Sequence, residues 1–248
     1  MKKFIFLMGP VVLIIVWFAT SWLQIIDAFF LPNPLIVFER LFEVVFHGSI
    51  LPDLFATLKR TLLSFVIAVV IGLPLGLLFG SSEKLYRSVE FVIDFFRSTP
   101  VTALVPLFLL IFGIADASKI AIATFAAVLI IIFNTAHGVM NASKSRILAA
   151  KIMGASKTQI FRWILFWESL PQTFIGLRTS ISLALVIIVV TEMFIGTNIG
   201  LGRKIIDSQI TYEIPTMYAA ILLTGMLGYL LNIFFVAIER KYLHWVKQ

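Results

Sequence analysis

The 248-residue sequence contains no cysteine, only three histidines and only 13% charged residues. Without cysteine there is no disulfide framework and no thiolate metal site. His47, His137 and His244 are scattered, and no H-E-x-x-H pair occurs, so no histidine metal centre is expected. A G-x-S-x-G nucleophile turn is also missing. The nearest approach to a phosphate loop, GTNIGLGRK from Gly196, has the wrong glycine spacing for G-x-x-x-x-G-K-[ST], so the chain itself is not expected to hydrolyse ATP. These absences leave no catalytic residue, metal or cofactor to assign.

What the sequence does have is apolar length. Sixty per cent of the residues are hydrophobic and the mean hydropathy is +1.03, far outside the range of soluble domains of this size. Uncharged runs between the sparse charges are long enough to cross a hydrocarbon core of about 30 Å at about 1.5 Å per helical residue. Six spans are expected, at about 4–26, 61–80, 98–115, 120–143, 174–196 and 214–238. Because each run is continuously apolar instead of alternating, the fold class is an all-α integral membrane protein of one transmembrane domain, 1–248, and not a barrel. The first run is longer than a signal h-region and lacks a small-residue cleavage site, so it is read as a retained span.

Lys and Arg collect in cytoplasmic loops. With both termini inside, the cytoplasmic segments hold 14 of the 20 Lys and Arg residues, six of them between Lys144 and Arg178, while Arg40, Lys59, Arg60, Lys119, Arg203 and Lys204 stay outside. The net charge of +7 is mostly this asymmetry plus affinity for anionic headgroups, so membrane lipid is an expected partner and nucleic acid is not. On the outer side, Leu35, Phe38, Leu41, Phe42 and Val45 follow two prolines at helical spacing, which fits a short amphipathic helix on the interface.

Several positions within the spans stand out. Gly72, Gly76 and Gly80 repeat every four residues on one helix face, a pattern that lets another helix approach closely, within this chain or across a dimer. Pro100 and Pro106 in FRSTPVTALVPLFLLIFGI make the third span a bent one, and Thr102 between them is a candidate for a cavity wall. Glu192 is the one acid inside a span, where a charge at mid-bilayer costs about 2.5–3.5 kcal/mol. It is either a hydrogen-bonded structural group or a pathway residue, and Asn134 and Thr135 carry the same two readings.

The stretch AAKIMGASKTQIFRWILFWESLP, from Ala149 to Pro171, is polar where its surroundings suit lipid. Gly154 permits a turn, and Ser156 with Gln159 fits an S-x-x-Q capping box, so two short helices meeting at a glycine corner are expected over about 147–168. Pro171 is expected to break the chain before the fifth span. On physical grounds alone the segment is either a basic amphipathic linker resting on anionic lipid or a contact for a partner.

Ala149, Ala150, Gly154 and Pro171 resemble the E-A-A-x(3)-G motif and downstream L-P of the binding-protein-dependent ABC transporter permeases. LPNP, IGLPLGLLFG, FRSTPVTALVPLFLLIFGIADASKI with FNTAHGV, then GLRTSISLALVIIVVTEM and GLG, look like the nitrate, sulfonate and taurine branch of that family. The resemblance implies an importer permease with a cytoplasmic coupling helix, in the type I fold. It implies as partners a second permease copy, a pair of ATPase subunits and an extracytoplasmic binding protein, in a bacterial cell membrane. It makes Ala149, Ala150, Gly154, Ala155, Ser156 and Gln159 the ATPase contact. Two departures matter: Leu148 stands at the motif's glutamate, and Trp167 at its frequent first proline. The branch handles sulfonates, taurine, nitrate and pyrimidine-like compounds, so it implies a small solute without naming one. The competing reading from the residues alone is an ATP-independent carrier or channel with Glu192 as its ionisable group.

Overall fold

The computed structural model describes the backbone of residues 2–243 and the side chains of residues 8–243. The side chains of Lys2, Lys3 and Lys247, which entered the orientation count, lie outside those described. All regular structure among the described residues is helical. In chain order the helices are α1 (Lys2–Trp22), α2 (Pro34–Phe46), α3 (Leu51–Gly80), α4 (Glu83–Ser98), α5 (Val105–Phe112), α6 (Asp116–Met140), α7 (Lys144–Ile152), α8 (Lys157–Ile160), α9 (Phe166–Phe194), α10 (Leu201–Ile210) and α11 (Ile214–Tyr242).

Four of these segments are long and apolar enough to cross a membrane: α3, α6, the continuous stretch Lys157–Phe194, and α11. Glu83–Ser98 and Val101–Phe112 are together long and apolar enough for a fifth, but they meet at 92°, the geometry of a broken span or of a re-entrant loop. The proline pair accounts for the break. Thr99, preceding Pro100, is forced into extended backbone at φ −78° and ψ 127°, and a 3-10 turn over Val101–Leu104 leads to Pro106 in the first turn of α5. The apolar part of α1, Met8–Trp22, is shorter. Trp17 fixes its C-terminal end by donating to Pro32 O at 3.1 Å and stacking on Tyr218.

α6 is the centre of the bundle, packed between α3 and α9 and flanked by α4 and α5. Glycine allows the close approach on both sides. A Cβ on Gly76 would lie 2.6 Å from Thr135 Cβ of α6, and one on Gly176 would lie 2.6 Å from Asn134 Cβ. Gly72 and Gly80 face Ile131 and Ala136 in the same way. In hydrocarbon, such backbone proximity supplies the dispersion contacts that water would otherwise drive. Following α1, α2, capped by Asn33 accepting from Leu35 N at 2.9 Å, buries Val37, Leu41 and Val44 and packs against α11.

Two elements differ from the sequence expectation for identifiable reasons. α3 begins at Leu51, with Pro52 and Asp53 in its first turn, ten residues before the expected span start at Thr61. An uncharged-run criterion stops at Arg60, but the helix continues through it because Arg60 is paired and buried. Pro171 does not break the chain: it lies inside α9. The irregularity sits upstream, in a π turn at Phe161–Leu165 that joins α8 to α9 without interruption.

Candidate functional site

The corner between α7 and α8 is built from two capping motifs in sequence. Gly154 has φ +81°, donates to Lys151 O at 3.0 Å, and is followed by Ala155 donating to Ala150 O at 3.0 Å. This paired pattern closes the end of a helix through a left-handed residue, a conformation glycine adopts without penalty. One residue later Ser156 and Gln159 form both halves of a capping box, Ser156 N to Gln159 Oε1 at 2.7 Å and Gln159 N to Ser156 Oγ at 3.3 Å. Among the coupling residues expected from the sequence, Ala150 is buried, while Ala149, Gly154, Ser156 and Gln159 are exposed on the corner.

The outward face of this segment is apolar. Leu148, Ile152 and Met153 are 58%, 79% and 80% exposed, on the turn leading into the corner. The acid of the segment, Glu168, points the other way. It accepts from Arg146 Nη1 at 2.7 Å and from Ser143 N, joining the start of α7 to the start of α9. Across an open cleft of ≈ 810 Å³, Lys144, Lys151 and Lys157 face the C-terminal ends of α3 and α6 at Gly80 and His137.

At the opposite end of α9, Glu192 sits in a buried network. Its side chain is 0% exposed, and it accepts from Arg60 Nη1 at 2.6 Å, Thr57 Oγ1 at 2.8 Å and Gly202 N at 3.1 Å. Arg60 in turn meets Asp116 at 2.9 Å and Ile199 O at 2.8 Å, and Asp116 accepts from Lys119 at 3.3 Å. Asp53 accepts from Gly200 N at 2.8 Å. The GLG of the sequence is what allows this: a Cβ on Gly200 would lie 2.4 Å from Glu192 Cδ, and one on Gly202 would lie 2.1 Å from Val189 O. The N–H groups of Leu201 and Gly202, at the start of α10, thus face Thr57 and the Glu192 carboxylate, the favourable end of a helix for an anion.

The structure separates the other pathway candidates. Thr102 is exposed on the 3-10 turn before α5. Asn134 is half-buried and accepts from Gln172 Nε2 at 3.0 Å. Thr135 is fully buried against Gly76, with no partner for its hydroxyl among the described residues. These three do not join Glu192 in one cluster. Sequence reading missed Arg60 and Thr57 as the partners of Glu192, and Arg146 as the partner of Glu168. A signal existed for the first pair: Thr57, Arg60, Thr61 and Ser64 share one helix face with Gly72, Gly76 and Gly80, and that whole face is buried.

The family model described as "Binding-protein-dependent transport system inner membrane component" matches residues 68–244. A probable ABC transporter permease protein of Brucella melitensis is 30% identical over 215 residues, 87% of each chain. The taurine transport system permease protein of Escherichia coli is 28% identical over 239 residues, covering 94% of this chain and 86% of the relative. The nitrate import permease protein of Synechocystis is 30% identical over 218 residues, covering 84% and 79%. Among solved structures, an inward-facing form of the MetNI methionine ABC transporter superposes with a TM-score of 0.67 at 25% identity, over 77% of this chain and 94% of the other.

Proposed function

Because the chain belongs to the binding-protein-dependent transport system inner membrane components, and is the permease subunit of an ABC importer, we propose that it works as one half of a homodimeric pore. Two ATPase subunits engage its α7–α8 corner from the cytoplasm, and a binding protein delivers solute on the α2–α10 side. The substrate class is a small sulfonate, taurine or nitrate, following the relatives named for those solutes. Both termini lie in the cytoplasm, in keeping with the concentration of Lys and Arg on that side. Thr102 and Asn134 are the pathway candidates with open faces.

One observation carries the coupling assignment. The corner is continuous with a span, since Lys157–Phe194 runs as one 38-residue helical stretch. A displacement of α8 by a motor subunit therefore moves α9 directly.

The test is uptake by the reconstituted complex of permease, ATPase and binding protein. Gly154→Val places a β-branched residue at φ +81°, where such residues are strongly disfavoured, although no heavy atom lies within 4 Å of the new Cβ. The strain is thus confined to the corner. Uptake and binding-protein-stimulated ATP hydrolysis are expected to fall at least tenfold, with the permease still inserted. Normal uptake by this variant, or uptake by the permease alone without ATP, would refute the assignment.

A further inference from the structure

We propose that Glu168 is the positioning residue for motor coupling in this chain; the proposal rests on the coupling role of the α7–α8 corner. Three observations carry it. First, α7 packs chiefly against α8, and the cleft of ≈ 810 Å³ separates the corner from the C-terminal ends of α3 and α6. The segment is therefore held mainly at its two roots. The second root is the covalent run of α8 into α9, and the first root is tied by Glu168.

Second, Glu168 makes that tie with both carboxylate oxygens. Oε2 accepts from Ser143 N, at the residue that caps α7, and Oε1 accepts from Arg146 Nη1 in the first turn. The carboxylate thereby closes residues 143–168 into a ring, held on one side by the half-buried backbone N–H of Ser143 and on the other by the exposed Arg146. Charge-assisted hydrogen bonds of this kind are about twice as strong as neutral ones. Third, the base of α9 on which Glu168 stands is fixed to α6: a Cβ on Gly138 would lie 2.8 Å from Ser169 O. A push on the corner is then delivered to a seated helix end instead of being absorbed by rotation of α7.

The same geometry answers what replaces the acid at Leu148. Leu148, Ile152 and Met153 present an uncharged outer face, and the single carboxylate of the segment is turned inward to hold that face in place. Coupling in this chain depends on an ion pair within the segment, between the exposed Arg146 and the half-buried Glu168, and not on an acid displayed at Leu148.

The experiment uses the full permease–ATPase–binding-protein complex in proteoliposomes and reads ATP hydrolysed per solute imported, alongside basal hydrolysis and complex yield. For Glu168→Gln, which preserves shape and a weaker acceptor, complex yield and basal hydrolysis are expected to stay within twofold of wild type. ATP used per solute imported rises at least fivefold, and stimulation by the binding protein falls by a similar factor. The double exchange Arg146→Glu/Glu168→Arg restores the pair with opposite polarity and is expected to recover part of the coupling ratio. Wild-type coupling in Glu168→Gln overturns the proposal. So does loss of complex yield in Glu168→Gln, because that marks a folding residue. If Gly154→Val uncouples while Glu168→Gln does not, the coupling corner stands and the role of Glu168 falls; if neither variant uncouples, the corner assignment falls with it.

Discussion

Arg60 and Glu192 bring opposite charges into a part of the bundle where either one alone would be costly. The pair is closed at 2.6 Å, and every other polar group around it is engaged: Thr57, the N–H of Gly202, the carbonyl of Ile199 and the Asp116–Lys119 couple. Removing one member of a buried pair leaves the other uncompensated and costs about 3–5 kcal/mol. Glu192→Leu is therefore expected to lower the unfolding temperature in detergent sharply. Glu192→Gln is expected to lower it less, because its amide oxygen can still accept from Gly202 N. Equal stability of the Leu variant would show that the network does not hold α10. Thr135 is the opposite case. Its hydroxyl is buried without a partner among the described residues, so Thr135→Val, an isosteric exchange, is expected to be neutral or slightly stabilising and to leave uptake within twofold. A transport defect in that variant would instead place Thr135 on the solute path.

Helices in this chain were legible from sequence to the extent that lipid dictated them. α6 and α11 coincide with long uncharged runs, and the bend between α4 and α5 follows from Pro100 and Pro106. The start of α3 was not legible, because a run-length criterion treats Arg60 as an end. Only the three-dimensional proximity of Glu192, more than a hundred residues away, makes it an interior residue. The unbroken joint of α8 to α9 was hidden for a related reason: Pro171 signals a break, while the π turn that takes up the irregularity at Phe161–Leu165 has no sequence mark. The corner, in contrast, was readable down to single residues, since Gly154, Ser156 and Gln159 act through local backbone chemistry alone. The α3–α6 contact supplies the prediction at this scale. Gly76→Ala puts a methyl 2.6 Å from Thr135 Cβ and 3.0 Å from Ile132 O, and overpacking of this kind costs about 1–3 kcal/mol. Gly225→Ala, with nothing within 4 Å of its Cβ, is the control expected to be silent in a detergent melt. If the two variants melt alike, α3 and α6 are not in the contact described.

Across the whole molecule, two acids of one helical stretch, Glu168 half-buried and Glu192 buried, hold segments at opposite ends of the bundle. Glu168 ties the α7–α8 corner, and Glu192 seats α10 and the loop before it. The stretch Lys157–Phe194 that carries both has 38 residues, about 57 Å of helix, and about 36 Å of it separates the two acids, enough to span a hydrocarbon core of about 30 Å. The absence of cysteine makes its orientation directly measurable. Single cysteines at the exposed positions Lys84 and Lys157 are expected to react with an impermeant maleimide only after the cells are opened, and those at Glu39 and Tyr212 in intact spheroplasts. Reversal of that pattern would invert the topology and with it the direction of the strut. Transmission along the strut has its own signature. Sites this far apart, sharing no partner, are expected to add in stability within about 0.5 kcal/mol. If α9 carries the motor stroke in series, however, breaking it at one end already decouples the other. The double variant Glu168→Gln/Glu192→Gln should then import no less solute per ATP than the worse single variant, while its unfolding free energy falls by the full combined amount. Multiplicative losses in the coupling ratio would mean that the two ends act through separate routes, with α9 a scaffold and not the transmitting element.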